Sequence, residues 1–233
     1  MRKTAIVTGA SSGIGRALAI KLAENGYDLV ITGRRTDRLA DLEKELKKAG
    51  ADVLSLVFDV SKCEEVKSNL GTLSGKWAKI DLLVNNAGGA LGKEPIQEGA
   101  IEDWDRMIDT NVKGLLYVSR IILPMMCRNN GGHIVNLCSI AGKQVYAEGN
   151  VYCASKHAVD AISKAIRIDA LPYGVKVTNI CPGAVETEFS IVRFHGDEEK
   201  AAATYKGFTP LTAEDIADTI YYCVSLPAHV CIN

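Results

Sequence analysis

Apolar residues in this chain fall into short unbroken runs separated by longer stretches of helical spacing. Runs rich in β-branched residues stand at 4–8, 28–32, 52–58, 81–85, 133–138 and 176–181. Several are almost wholly apolar, as strands covered on both faces must be. Between and after them, residues 13–25, 36–49, 62–73, 101–128, 152–171 and 213–225 carry the spacing of helices. Strands that alternate with helices pair in parallel, because each return path crosses over the sheet. The expected fold is α/β, a doubly wound parallel sheet with helices on both faces. No Pro- or Ser-rich linker and no repeat divides it, so residues 1–233 are read as a single domain. Ligands of such sheets bind beyond the carboxyl ends of the strands.

Composition narrows the function without naming it. A hydrophobic share of 47%, a charged share of 24% and a formal net charge of -1 offer no basic surface for nucleic acid or membrane. No apolar run is long enough to span a bilayer. The first apolar stretch is short and runs into glycines, unlike a signal peptide. The seven cysteines are odd in number and contain no Cys-x-x-Cys pair, which speaks for reduced thiols in a cytoplasmic protein. The four histidines lack ligand spacing, and no metal site is expected.

The chemistry begins in Thr8-Gly9-Ala10-Ser11-Ser12-Gly13-Ile14-Gly15, between the first strand and the first helix. Glycine lets backbone approach a pyrophosphate closely, and the helix that follows presents its free N–H groups and positive dipole end. The spacing is G-x-x-x-G-x-G, and no Gly-Lys-Ser/Thr follows, so nucleotide triphosphate hydrolysis is not indicated. At the end of the second strand, an NAD site would place an acid for the ribose 2′-hydroxyl. Here the chain reads Ile31-Thr32-Gly33-Arg34-Arg35. Two guanidiniums suit a 2′-phosphate, so Arg34 and Arg35 predict NADP. Farther on, Tyr152 and Lys156 stand at i and i+4 on one helix face. A nearby ammonium favours the phenolate, so Lys156 is expected to lower the Tyr152 pKa towards neutrality.

Together these segments resemble the short-chain dehydrogenase/reductase family. The glycine loop matches its T-G-x-x-x-G-I-G, Asn85-Asn86-Ala87-Gly88 its N-N-A-G, and Pro182-Gly183 with Thr187 its P-G-x-x-x-T. Asn111, Ser139, Tyr152 and Lys156 match its catalytic set. The resemblance implies a single-domain Rossmann fold and a hydride transfer in which Tyr152 takes the substrate's hydroxyl proton. It further implies that Ser139 steadies the substrate oxygen, Lys156 holds the nicotinamide ribose, and Asn111 holds a water that relays the proton. Asp59 and Val60 would meet adenine, Asn86, Ala87 and Gly88 the adenine-ribose side, and Pro182, Gly183, Val185 and Thr187 the carboxamide.

Gly33-Arg34-Arg35, residues 107–111 and residues 186–194 are similar to the NADP-dependent 3-hydroxy acid dehydrogenases, a subfamily that takes serine and L-allo-threonine. Such substrates carry a carboxylate. Arg193, in a substrate loop at about 184–208, and Gln144 are the candidates to bind it. Residues 226–232 are read as the start of a further strand, with the chain stopping short of the strand and tail that end the subfamily's members. Family members pair through their two long helices, which implies a homodimer or homotetramer. A general carbonyl or 3-ketoacyl reductase, or a non-catalytic NADP-binding sensor, stand as the alternatives.

Overall fold

The computed structural model describes residues 2–232. In chain order the elements are β1 (Lys3–Val7), α1 (Gly13–Glu24), β2 (Tyr27–Gly33), α2 (Thr36–Lys48), β3 (Val53–Val57), α3 (Cys63–Leu70), β4 (Leu82–Asn85), α4 (Ile101–Ile108), α5 (Leu115–Arg128), β5 (Gly132–Leu137), α6 (Asn150–Ala170), β6 (Val175–Ile180), α7 (Phe189–Arg193), α8 (Glu198–Ala203) and α9 (Ala213–Ser225). All six strands pair in parallel in the order β3-β2-β1-β4-β5-β6. This is the doubly wound Rossmann arrangement that the alternation predicted. The strand order reverses between β1 and β4, and the two crossovers leave there in opposite directions and open a crevice.

The burial explains the sequence pattern. Every residue of β2 is buried, so that strand has no polar face to show. The face under α1, α2 and α9 is filled by Leu18, Leu22, Leu39, Leu42, Leu46 and Ile220. Leu39, Leu42 and Leu46 of α2 follow the 3.6-residue repeat, which turns one stripe to the sheet and the rest to water. The opposite face holds Leu70, Leu83, Val118, Ile122, Ile134 and Val159 under α3, α5 and α6. Thr212 and Asp215 close α9 at its start by reciprocal side-chain bonds to backbone N–H groups.

One expectation is refined and one corrected. The stretch at 101–128 is helical throughout, but its winding is not uniform: α4 and α5 are joined through a wider π turn, Asp109–Gly114, with Asn111 inside it. Residues 226–232 form no strand among the described residues. They lie beside β6, where Lys176 Nζ donates to Val230 O at 3.0 Å and Thr178 Oγ1 to Ile232 O at 2.6 Å.

The second of these bonds fixes a buried histidine. The Thr178 hydroxyl spends its one hydrogen on Ile232, so it must accept from His133 Nε2 at 2.8 Å. His133 Nδ1 is then a bare acceptor with no partner among the described residues. Burial, helped by Lys176 opposite on β6, pulls the imidazole down to about 4. Unfolded, it titrates near 6.5. Between those values the unfolded chain binds more protons, so stability rises with pH across that window and is lost on acidification. Going from pH 7 to 5 is expected to cost about 2 kcal/mol from this residue. Urea melts of the native protein and of His133→Gln check it. An equally large acid loss in the variant would refute the assignment.

Candidate active site

The carboxyl ends of β1, β2, β4, β5 and β6 surround one cleft of about 490 Å³. Its floor is the glycine loop. Gly9 adopts φ +66°, and a Cβ there would stand 2.9 Å from Ala87 Cα. Gly15, in the first turn of α1, lies so close behind that a Cβ would meet Gly9 O at 2.5 Å and the Asn86 amide at 2.4 Å. The loop is tied to the segment after β4. Thr8 Oγ1 donates to Val84 O at 3.2 Å and accepts from Asn86 N and Ala87 N, both at 3.0 Å. Asn86 Nδ2 donates back to Thr8 O at 2.8 Å and Gly9 O at 3.1 Å. Gly9, Ser11, Ser12, Gly13 and Ile14 line the cleft with Asn86, Ala87 and Gly88. Ala10 and Gly15 do not: both are buried behind it, where their small size permits the packing.

At one end of the cleft stand the arginines. Arg35 donates through Nε and Nη2 to Ser11 Oγ at 3.2 and 3.1 Å, and through Nη2 to Ser12 Oγ at 2.5 Å. Its Nη1 reaches Glu188 Oε2 at 2.9 Å, and Arg38 Nη1 reaches Glu188 Oε1 at 2.5 Å. Arg34 is more exposed and lies 3.5 Å from Asp59 Oδ2. Asp59 and Val60 line the cleft beside it. Arg38 was not foreseen, although its position three residues after Arg35 in the first turn of α2 puts both on one face.

At the other end Tyr152 and Lys156 rise from α6, both buried. Lys156 Nζ donates to Leu137 O at 2.7 Å and sits 6.0 Å from the Tyr152 ring centre. Burial pulls this ammonium down to about 8. Burial also pushes the Tyr152 phenol up, opposed by a hydrogen bond with Ser139 and by the charge of Arg193. The expected lowering of the Tyr152 pKa is therefore reversed: desolvation outweighs the pull of neighbouring charge, and the Lys156 ammonium is directed to a carbonyl. Ser139 caps the short turn Ile140–Gly142 by accepting from Ala141 N at 3.1 Å, which keeps its hydroxyl at the cleft wall.

Asn111 lies behind the wall, fully buried. Its Oδ1 accepts from Gly89 N at 2.9 Å, and its Nδ2 donates to Gly89 O at 2.8 Å and Ser155 Oγ at 3.0 Å. Both amide hydrogens are spent on protein. Next to it, a Cβ on Gly88 would stand 3.0 Å from Asn111 Oδ1 and 3.7 Å from Lys156 Nζ.

Over the cleft lies α7. Phe189 meets Tyr152 edge-on at 5.7 Å. Arg193 donates through Nε to Gly92 O at 3.1 Å and through Nη1 to Tyr146 Oη at 2.9 Å, with its guanidinium 5.7 Å from the Tyr152 ring. Its Nη2 is buried without a partner among the described residues. Gln144, the other carboxylate candidate, is exposed and does not line the cleft. The turn after Ser139 carries it outward, and Tyr146 comes back in its place. Pro182, Gly183, Val185 and Thr187 line the wall below α7. Among the described residues no group of His, Cys, Asp and Glu could hold a metal ion, and no helix is long and apolar enough to cross a membrane.

A glycine-floored cleft at the switch point of a parallel sheet, with cationic side chains at one end and a buried Tyr-Lys pair at the other, defines a dinucleotide-dependent oxidoreductase. Residues 3–197 match the family described as short chain dehydrogenase, and the chain belongs to that family. It is 48% identical over 229 residues to the NADP-dependent 3-hydroxy acid dehydrogenase YdfG of Salmonella typhi, covering 98% of this chain and 91% of the relative. To sulfoacetaldehyde reductase 2 of Chromohalobacter salexigens it is 43% identical over 234 residues, covering 100% and 92%. Among solved structures, the closed form of serine dehydrogenase complexed with NADP+ superposes with a TM-score of 0.93 at 44% identity, over 98% of this chain and 92% of that one. The protein is an NADP-dependent oxidoreductase. The residues present fit that cofactor, since Arg35 gathers two serine hydroxyls beside a loop whose glycines leave room for a pyrophosphate.

Proposed function

We propose that the protein oxidises the hydroxyl-bearing carbon of small 3-hydroxy acids, such as serine, allo-threonine and 3-hydroxypropionate, and reduces the matching carbonyls. The observation that carries this reading is Arg193, whose buried Nη2 has no partner among the described residues and whose guanidinium stands 5.7 Å from the Tyr152 ring. A guanidinium nitrogen so placed has a hydrogen bond to give and a charge to match, and a substrate carboxylate supplies both. NADP supplies the hydride acceptor or donor.

Tyr152 exchanges the proton with the substrate oxygen. Burial keeps its phenol protonated at neutral pH, so it is ready to donate in reduction. To act as a base in oxidation it needs flanking positive charge: Arg193 opposes the upward shift, and Lys156 Nζ stands 6.0 Å from the ring. The Ser139 hydroxyl steadies charge developing on the same oxygen. Asn111 fixes Gly89 against α6, leaving only its second Oδ1 lone pair or its main-chain carbonyl for a relay water. Exposed Leu116 on α5, Ile168 on α6 and Leu171 just beyond it support pairing of the long helices in a homodimer or homotetramer, and free cysteines among the described residues are in keeping with a cytoplasmic enzyme.

NADP reduction followed at the nicotinamide absorbance, with the three acids and with plain alcohols of equal size, tests the reading. Turnover confined to the acids is expected. Equal rates on the uncharged alcohols would overturn it. The likeness to a sulfoacetaldehyde reductase favours a second anion, because a sulfonate offers Arg193 the same oxygens; NADPH oxidation by sulfoacetaldehyde belongs in the same series. Arg193→Ala is expected to raise KM for the anionic substrate by about 10–100-fold, the loss of one charged hydrogen-bonded pair, with a smaller change in kcat. An unchanged KM would remove Arg193 from the substrate site.

A further inference from the structure

Glu188 precedes α7 by one residue, yet its carboxylate is found at the far end of the cleft. It takes Arg35 Nη1 on one oxygen at 2.9 Å and Arg38 Nη1 on the other at 2.5 Å. The rest of the Arg35 guanidinium is turned to Ser11 and Ser12. Two guanidiniums converge on the one carboxylate, and the two serine hydroxyls that hold Arg35 stand beside it; a phosphate monoester is recognised by the same kind of paired guanidinium donors. The Arg35 and Arg38 guanidiniums hold the Glu188 carboxyl below its usual range, as paired charges do. Phe189, the first residue of the same short helix, packs against Tyr152 at 5.7 Å, and Arg193 at its other end is fixed against Tyr146 and Gly92. So α7 spans the distance between the arginine cluster and the tyrosine, tethered at each end by side chains.

We propose that Glu188 is an internal competitor of the cofactor's 2′-phosphate: its carboxylate holds Arg35 and Arg38 until the phosphate displaces it, and this exchange sets how strongly the protein prefers NADP to NAD. The inference rests on the reading of Arg35 as a 2′-phosphate ligand. A phosphate carries more charge and one more oxygen than a carboxylate, so it wins both arginines. NAD brings only a 2′-hydroxyl there and leaves the ion pairs standing. Displacement frees the Glu188 tether at the start of α7 while Phe189 and Arg193 stay near Tyr152, so this one anchor responds to the phosphate alone.

Calorimetric titration of NADP+, NAD+ and 2′,5′-ADP into the native protein, Glu188→Gln, Arg35→Ala and the exposed-neighbour control Glu186→Gln tests this. Glu188→Gln is expected to bind NADP+ and 2′,5′-ADP about fivefold more tightly, the size of effect that two partly exposed ion pairs allow. NAD+ affinity should stay unchanged, as should every affinity in Glu186→Gln. Unaltered or weaker NADP+ binding in Glu188→Gln, while Arg35→Ala still weakens it, would overturn the competition and leave the arginine reading intact. Unaltered NADP+ binding in Arg35→Ala would overturn the arginine reading, and the proposal with it. Hydrogen exchange provides a second readout that does not depend on affinity. NADP+, but not NAD+, should change the exchange of amides at 188–196 in the native protein. In Glu188→Gln those amides should already exchange in the changed manner without cofactor. An identical response to both cofactors would count against the proposal.

Discussion

Replacing Tyr152 by Phe is expected to lower kcat by about 10²–10⁴-fold, the usual worth of a positioned proton donor or acceptor. The substitution removes one oxygen and little else. The ring is buried and packs edge-on with Phe189, contacts that Phe retains. The group lost is the hydroxyl that shares a hydrogen bond with Ser139. Cofactor affinity should be nearly unchanged, because the glycine loop and the arginines lie at the other end of the cleft. Steady-state turnover together with NADPH titration separates the two effects. A variant that turns over within about tenfold of the native rate would place the proton transfer on another group. A variant that also loses NADPH would mean the ring, not the oxygen, was the important part.

Arg35→Ala is expected to raise KM for NADP by about 10–100-fold and to leave KM for NAD little changed, since a charged hydrogen-bonded pair contributes about 1.5–3 kcal/mol. Arg34→Asp should act in the same direction but less strongly. Arg34 is more exposed and reaches only Asp59, whereas Arg35 binds both loop serines. Measuring kcat/KM with each cofactor decides the matter. Comparable values for NADP and NAD in the native protein, unmoved by either substitution, would remove both arginines from the cofactor site.

Much of this was legible in the sequence, for identifiable reasons. Strands buried on both faces leave uninterrupted apolar runs, so all six were placed to within a few residues. The glycine loop was readable because close backbone approach at Gly9 and Gly15 excludes any side chain. The π turn at Asp109–Gly114 was not, because one extra residue per turn leaves an apolar pattern that still passes for a uniform α-helix. Gln144 was misplaced and Tyr146 missed since both follow a short turn whose direction is set by tertiary contacts. The partner of Arg35 lies 153 positions along the chain, beyond any spacing rule. The direction of the Tyr152 shift was missed for a different reason: spacing reports a neighbouring charge but not the depth of burial that opposes it.

The hydrogen bonds that lock Thr8, Gly9 and Asn86 together bear on how binding unfolds in time. A loop already held in its working shape loses little freedom when a ligand settles on it. The opposite wall is another matter, since α7 and α8 are helices of only five and six residues, each with a single buried residue, Ser190 and Ala201. One side of the cleft is thus an anvil and the other a jaw. The dinucleotide should dock against a surface that hardly yields, and the adjustment needed to enclose a small substrate should fall on residues 188–205.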